Sequence, residues 1–214
     1  YAKKIEEAGA DALELNIFIL PGNEKIKSDN IEQQYFTIAH EITKRLKIPV
    51  ALKLSPYFTG FANAMVKLSH TDVKGIVLFN RFYMPDVDVD NMEIISSDIF
   101  TKPDDIYNGL RWMGMLSHKL QCDLALSTGV HDGKAIVKSL LTGAQAVYAA
   151  SIFYDLGLEY IKTMIQDLSD WMEKHDFKSI DEFRGKLNQQ NITDPVLYER
   201  AQFMKYYSSY NKLK

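Results

Sequence analysis

The sequence lacks the features of three broad classes of protein. Cys122 is the only cysteine in 214 residues, so a disulfide framework is excluded and a reducing, cytoplasmic location is expected. Lys and Arg never form a run longer than a pair and the net charge is −3, so neither nucleic acid nor an anionic membrane is expected as a partner. No apolar stretch reaches the roughly 20 residues that a membrane helix needs.

The sequence instead contains a regular alternation of buried strands and amphipathic helices. Apolar segments typical of parallel strands lie near residues 12–17, 49–54, 74–79, 122–127 and 145–150. Each is followed by apolar residues at helical spacing. Residues 87–95 alternate apolar and polar side chains, which predicts a short antiparallel excursion. Repeated βα units predict an α/β protein with a parallel sheet covered by helices.

The number of strands favours part of a TIM (β/α)8 barrel. Such a barrel typically needs about 250 residues, and five strands cannot close one of normal shear. A helical segment, residues 2–9, also precedes the first strand. We expect residues 1–185 to cover about the last five βα units, with about three units before Tyr1. The alternative is a five-stranded doubly wound sheet that is complete as it stands.

Residues 186–214 are predicted to form a helical extension packed on the barrel. Asp194 and Pro195 are typical of a helix start, as N-cap and first-turn residues. Leu197, Ala201, Met204 and residues 207–210 would make this helix apolar and aromatic. Docking on the outer helices of the same subunit is expected, and contact with a second subunit is the alternative.

Polar and small residues occur where the predicted strands end, which is where the active sites of barrels lie. They are Asn16, Lys53, Asn80, Arg81, Ser127, Thr128, Gly129, Ala150 and Ser151. Lys53 interrupts an otherwise apolar strand, and a buried lysine needs an anionic or dipolar partner. That partner is either a ligand with electron-rich oxygens or the neighbouring Glu14, unless the lysine simply extends to solvent.

Two consecutive strands end in small residues, at 127–129 and 150–151. Their backbone N–H groups are open to an oxyanion, and the helix after the first turn adds its partial positive charge. The loops after the last two strands of a barrel are a frequent phosphate site. Ordinary βα loops contain the same small residues, so phosphate binding and plain loop geometry both stay open.

The whole pattern resembles the dihydroorotate dehydrogenase family of FMN-dependent barrels. The segments that carry the resemblance are ADALELN (10–16), PVALKLSPY (49–57), GIVLFN (75–80) and STGVHDGKAIVKSLLTGAQAV (127–147). The segment WMEKHDFKSIDEFRG (171–185) is similar to the family's ending. LKLSPY, LFNRFY and FRGKLNQQNITDP indicate a divergent, dihydroorotate dehydrogenase-like branch.

The resemblance implies an FMN oxidoreductase acting on CH–CH bonds. Hydride would pass between a dihydropyrimidine-type substrate and the flavin, as in pyrimidine biosynthesis, and a homodimer is also implied. It places Asn16 near flavin and substrate, Lys53 at the flavin ring's polar edge, and Asn80 on a substrate amide. Arg81, beside Asn80, would bind a carboxylate or fill the site. The FMN phosphate would lie on the turns formed by Ser127, Thr128, Gly129, Ala150 and Ser151.

The position of the family's catalytic base departs from the pattern. The family places a Cys or Ser where this chain has Ile19, which cannot accept a proton, so the catalytic base is unassigned. No metal is expected, because the histidines lack paired ligand spacing. Two alternatives stay open. One is a barrel isomerase or lyase with a phosphorylated substrate, and the other is a flavin-binding protein without dihydroorotate turnover.

Overall fold

The computed structural model describes residues 1–203 and contains one parallel sheet and one antiparallel hairpin. The strands are β1 (Leu13–Asn16), β2 (Val50–Leu54), β3 (Gly75–Leu78), β4 (Pro85–Asp88), β5 (Glu93–Ser96), β6 (Asp123–Leu126) and β7 (Ala146–Val147). The α/β class and the parallel sheet are as predicted. The alternating segment at 87–95 forms the β4–β5 hairpin, which is also confirmed.

Helices connect the strands of the parallel sheet. They are α1 (Ala2–Glu7), α2 (Ser28–Arg45), α3 (Phe61–Ser69), α4 (Ile106–Leu116), α5 (Gly133–Thr142), α6 (Ser151–Leu156), α7 (Tyr160–Lys174) and α8 (Val196–Glu199). Capping explains the limits of α5. The Asp132 carboxylate accepts the Ala135 N–H at 2.7 Å, and Gly143 ends the helix at a φ of 114°. Within residues 1–203, no helix is both long and apolar enough to cross a bilayer.

The strand order argues against a doubly wound sheet. Parallel strands are neighbours in the order β1-β2-β3-β6-β7, so each next strand of the chain is added on the same side. A doubly wound sheet reverses its order at a switch point. The sheet is therefore singly wound, as the strands of a TIM barrel are.

One face of the sheet is covered by helices. Leu52, Ile76 and Leu124 are fully or almost fully buried there, against α2, α3, α4 and α5. Burying each such side chain contributes about 2 kcal/mol. The alternate positions face the other way, and Lys53 is among them, since β2 alternates buried and half-buried residues. The main core therefore lies between sheet and helices, and Lys53 belongs to the opposite, concave face.

The concave face is curved strongly enough to bring residues from both sides of the sheet to one cavity. Tyr148, directly after β7, lines that cavity together with Glu14 on β1. The Nζ of Lys53 on β2 lies 5.7 Å from the centre of the Tyr148 ring. Curvature of this kind is the geometry of a barrel wall.

Residues near the end of the described chain pack on α4, and their helix is shorter than predicted within residues 1–203. The Gln189 N–H donates to the Gly114 carbonyl at 2.8 Å, and the Tyr198 ring lies against Gly114. The prediction of Asp194 as N-cap is wrong, because Pro195 is the N-cap and α8 has four residues. Arg200 is extended and ends the helix there. The predicted continuation through Met204 and residues 207–210 lies outside the described residues.

Candidate functional site

Most of the predicted polar residues meet at one edge of the sheet. The carboxyl ends of parallel strands share this edge, and a cavity of about 670 Å³ opens there. Its wall includes Lys53, Arg81, Thr101, Ser127, Thr128, Gly129, Tyr148, Ala150 and Ser151. Asn80 lines a smaller neighbouring cavity. Asn16 is exposed and pairs in register with Lys53, but it is not part of the cavity wall.

The first turn of small residues presents open backbone donors. Thr128 and Gly129 have consecutive positive φ values of 76° and 71°, and successive N–H groups in such turns form a concave anion nest. Among residues 1–203, neither N–H donates to an acceptor. The Ser127 N–H is different, because it donates to the Leu78 carbonyl at 2.6 Å. Of the three predicted backbone donors in this turn, two are therefore free.

Glycine is required in this turn by close packing as well as by its φ angle. A Cβ at Gly129 would collide with the backbone nitrogen of Ile106 and lie 2.8 Å from the carbonyl carbon of Asp105. The turn thus presses against the start of α4.

The second turn is tied to the first by a residue from a distant loop. Thr101 donates its N–H and its hydroxyl to the Ser151 Oγ, both at 3.0 Å. The same hydroxyl oxygen lies 2.9 Å from Nε2 of His131, which follows the first turn. The loop between β5 and α4 therefore bridges both small-residue turns. Thr101 was not predicted, because no periodic pattern marks its loop.

Lys53 is held beside an aromatic ring and not in an ion pair. Its Nζ lies 5.7 Å from the centre of the Tyr148 ring, a cation–π distance. In the described part of the chain it forms no ion pair with a carboxylate, so the suggested Glu14–Lys53 bridge is not formed. Burial raises the pKa of Tyr148, and the Glu14 carboxylate raises it further. The phenol therefore stays protonated at neutral pH and presents Lys53 with an uncharged ring.

Asn80 hydrogen-bonds to residues at the ends of two neighbouring strands, and its Oδ1 accepts no hydrogen bond within residues 1–203. Its Nδ2 donates to the Ile17 carbonyl at 2.9 Å and to the Lys53 carbonyl at 3.1 Å. Its backbone N–H donates to the Leu54 carbonyl at 2.8 Å. The side chain is 5% exposed, and its Oδ1 has no partner within residues 1–203. A buried acceptor without a partner is costly, so it marks a place where a ligand donor would be stabilised.

Arg81 already has partners within the protein. Its Nη1 lies 3.2 Å from Oδ2 of Asp105, and its Nη2 donates to the backbone carbonyl of Asp98. Its charge is therefore compensated on one side of the site.

The position of the family's base is apolar in the structure as well. Ile19 is half-buried and packs against the hydrophobic core. Cys122 is remote from the cavity, and burial with the adjacent Asp123 raises its pKa to about 11. Among residues 1–203, no three His, Cys, Asp or Glu side chains come together to hold a metal ion. The described residues thus assign no base by position.

Comparison with known proteins identifies distant relatives. No family model matches the chain. The chloroplastic dihydropyrimidine dehydrogenase (NADP(+)) of Arabidopsis thaliana is 23% identical over 224 residues, which cover 92% of this chain and 50% of that protein. The catalytic subunit of dihydroorotate dehydrogenase B (NAD(+)) from Thermoplasma volcanium is 24% identical over 190 residues, covering 85% and 61%. Dihydroorotate dehydrogenase (fumarate) of Saccharomyces cerevisiae is 24% identical over 212 residues, covering 87% and 63%.

The chain is thus a distant homologue of dihydroorotate and dihydropyrimidine dehydrogenases, as the resemblance predicted. It spans between half and somewhat under two thirds of these relatives' length. The homology implies a TIM barrel of which this chain covers a part. The singly wound, curved sheet agrees with that fold.

We predict that Gly129→Ala destabilises the protein by about 3 kcal/mol, because it combines a left-handed backbone with a collision at α4. Gly9→Ala is the matched control, since Gly9 has a φ of 94° but nothing within 4 Å of its missing Cβ. The control should cost about 1 kcal/mol. Urea unfolding measures both. Equal losses would mean that the turn is not pressed against α4.

We predict that Cys122 reacts very slowly with iodoacetamide at neutral pH. With a pKa of about 11, only about 0.1% of the thiol is ionised at pH 8, and the thiolate is the reactive form. The rate should rise about tenfold per pH unit up to pH 10. Free N-acetylcysteine, which levels off at its own lower pKa, is the control. A plateau for Cys122 below pH 9 would contradict the assignment.

Proposed function

From this homology and the site's geometry, we propose that the protein is an FMN-dependent oxidoreductase that transfers hydride between the flavin and a dihydropyrimidine-type substrate. One observation carries the proposal. Lys53 and both small-residue turns line the same cavity of about 670 Å³, which lies within the usual volume range of cofactor sites. The turns could hold the phosphate of FMN while Lys53 contacts its electron-rich ring in the same cavity.

The two turns supply what the phosphate of FMN needs. Thr128 and Gly129, whose N–H groups have no acceptor within residues 1–203, both line the cavity. The Ser151 hydroxyl and the His131 ring, joined through Thr101, supply hydrogen-bonding side chains beside it. The residues of the cavity therefore fit a phosphate monoester.

Lys53 supplies the charge that a flavin ring needs. FMN, when bound, supplies the acceptor and donor of hydride. The role of this chain is to place the Lys53 ammonium at the ring's polar edge, where it stabilises negative charge. The Lys53 Nζ lies 5.7 Å from the centre of the Tyr148 ring. No carboxylate of the described residues forms an ion pair with Lys53, so its ammonium is free to meet the flavin.

Substrate orientation is proposed for the two asparagines. Asn80 is fixed by three backbone carbonyls and offers its Oδ1 to a ligand N–H. Asn16 lies at the end of β1, next to Lys53 of β2 in the register. The hydrogen bonds of Asn80 to backbone carbonyls hold its amide in place, which is what a group that orients a substrate requires.

A second candidate function is flavin binding without dihydroorotate turnover. The observation that favours it is Ile19, which packs into the core where the family has a proton-accepting side chain. Without a base, the C–H bond of dihydroorotate would not be cleaved at a useful rate.

We predict that the protein binds FMN, that the bound flavin is bleached anaerobically by a dihydropyrimidine, and that Lys53→Met weakens FMN binding at least tenfold. Loss of a charged contact costs about 1.5 kcal/mol or more. Fluorescence titration gives the affinity, and absorbance near 450 nm follows the bleaching.

Lys138→Met is the matched control, because the Lys138 Nζ also lies 5.7 Å from a tyrosine ring, that of Tyr107, on the outer helix α5. It should bind FMN as the unaltered protein does. Bound flavin that no dihydropyrimidine bleaches would favour the second candidate. No flavin binding at all would refute both.

A further inference from the structure

The two side chains that Thr101 joins differ in their place relative to the main cavity. Ser151 and Thr101 both line the cavity, whereas His131 is not among the described residues of its wall. The Nε2 atom of His131 lies 2.9 Å from the hydroxyl oxygen of Thr101. An effect of His131 on a ligand in the cavity therefore passes through Thr101.

Both acceptor positions of the Ser151 hydroxyl are taken by this one threonine. The N–H and the hydroxyl of Thr101 donate to the Ser151 Oγ, both at 3.0 Å. A hydroxyl group has two acceptor lone pairs and one hydrogen. The hydrogen of Ser151 is what remains, and it has no acceptor within residues 1–203. This hydroxyl can therefore only donate, which favours an oxyanion over a ligand N–H group.

The direction of these hydrogen bonds fixes which ring nitrogen of His131 carries a hydrogen. Since Thr101 donates its hydroxyl hydrogen to Ser151, its Oγ1 must accept from the histidine ring. The Nε2 atom of His131 is then the donor. The chain of hydrogen bonds runs one way, from His131 through Thr101 to Ser151, and the members of such a chain strengthen one another.

The loop that contains Thr101 is held on both sides of it. Ahead of Thr101, the Asp98 carbonyl accepts a hydrogen bond from Nη2 of Arg81. Directly after it, the Lys102 N–H donates to Oδ2 of Asp105 at 2.8 Å. Asp105 in turn lies 3.2 Å from Nη1 of Arg81. The loop therefore sets the position of Thr101 by contacts that do not involve the small-residue turns.

We propose that Thr101 is a positioning residue, which takes both acceptor positions of Ser151 and thereby directs the Ser151 hydrogen to an oxyanion in the main cavity. The inference rests on the proposed function, because the FMN phosphate is the oxyanion of that site. Thr101 acts on the phosphate through Ser151, and His131 acts through Thr101.

The test compares the affinities for FMN and for riboflavin, which lacks the phosphate, by fluorescence titration. Thr101→Val removes the hydroxyl and keeps the shape, so FMN binding should weaken about tenfold, while riboflavin binding should stay unchanged. Thr101→Ser restores the hydroxyl and should bind FMN as the unaltered protein does. In a Ser151→Ala background, Thr101→Val should weaken FMN binding little further, because Thr101 acts through Ser151.

Thr43→Val is the matched control. Thr43 is also half-buried and its hydroxyl donates to the Ala39 carbonyl at 2.9 Å, but it lies on α2, outside the cavity wall. It should leave both affinities unchanged. Equal losses of FMN and riboflavin affinity in Thr101→Val would indicate a purely structural role and overturn the proposal. Full additivity of Thr101→Val and Ser151→Ala would also overturn it.

A measurement on the unaltered protein tests the same chain should Thr101→Val fail to fold. The nitrogen chemical shifts of His131, at a pH where the ring is neutral, should show the hydrogen on Nε2. A hydrogen on Nδ1 instead would overturn the proposal. FMN binding that Thr101→Val does not weaken refutes this inference and leaves the flavin site standing, whereas a protein that binds no FMN refutes the proposed function and this inference with it.

Discussion

Parallel strand pairing in chain order is the constraint on which the site depends. It brings the carboxyl ends of all five strands to one edge, and the curvature of the sheet brings the Nζ of Lys53 on β2 within 5.7 Å of the centre of the Tyr148 ring, which follows β7. Lys53 thereby lies on the concave face and not among the helices. Because the backbone of the sheet sets these positions, the side chains need little reorganisation to receive a ligand.

Side chains from distant loops then close the site. Asn80 joins the ends of β1 and β2 to β3, and Thr101 joins the two small-residue turns. The two cations of the site differ in their partners. Lys53 forms no ion pair with a carboxylate of the described residues, whereas Arg81 pairs with Asp105. One end of the site therefore attracts electron-rich groups, and the other is close to neutral.

The strands and the main cation of the site could be predicted from sequence for physical reasons. Parallel strands buried on both faces have nearly continuous apolar sequences. Lys53 interrupts such a run, and burying its charge without a partner is costly, so the sequence indicates a partner or a ligand there. Thr101 could not be predicted, because its hydrogen-bond partners are 30 and 50 residues away in the chain. The same holds for the Arg81–Asp105 pair. Asp194 and Pro195 had the local signals of a long helix, but local signals alone set neither the N-cap nor the length.

In the proposed complex, both small-residue turns hold the phosphate of a flavin whose ring lies at Lys53. The two flavins FMN and riboflavin differ by that phosphate, so their affinities for the purified protein should be compared. FMN should bind at least tenfold more tightly, a difference of about 1.4 kcal/mol, and inorganic phosphate should compete against FMN but not against riboflavin. Equal affinities would show that the turns do not bind the phosphate.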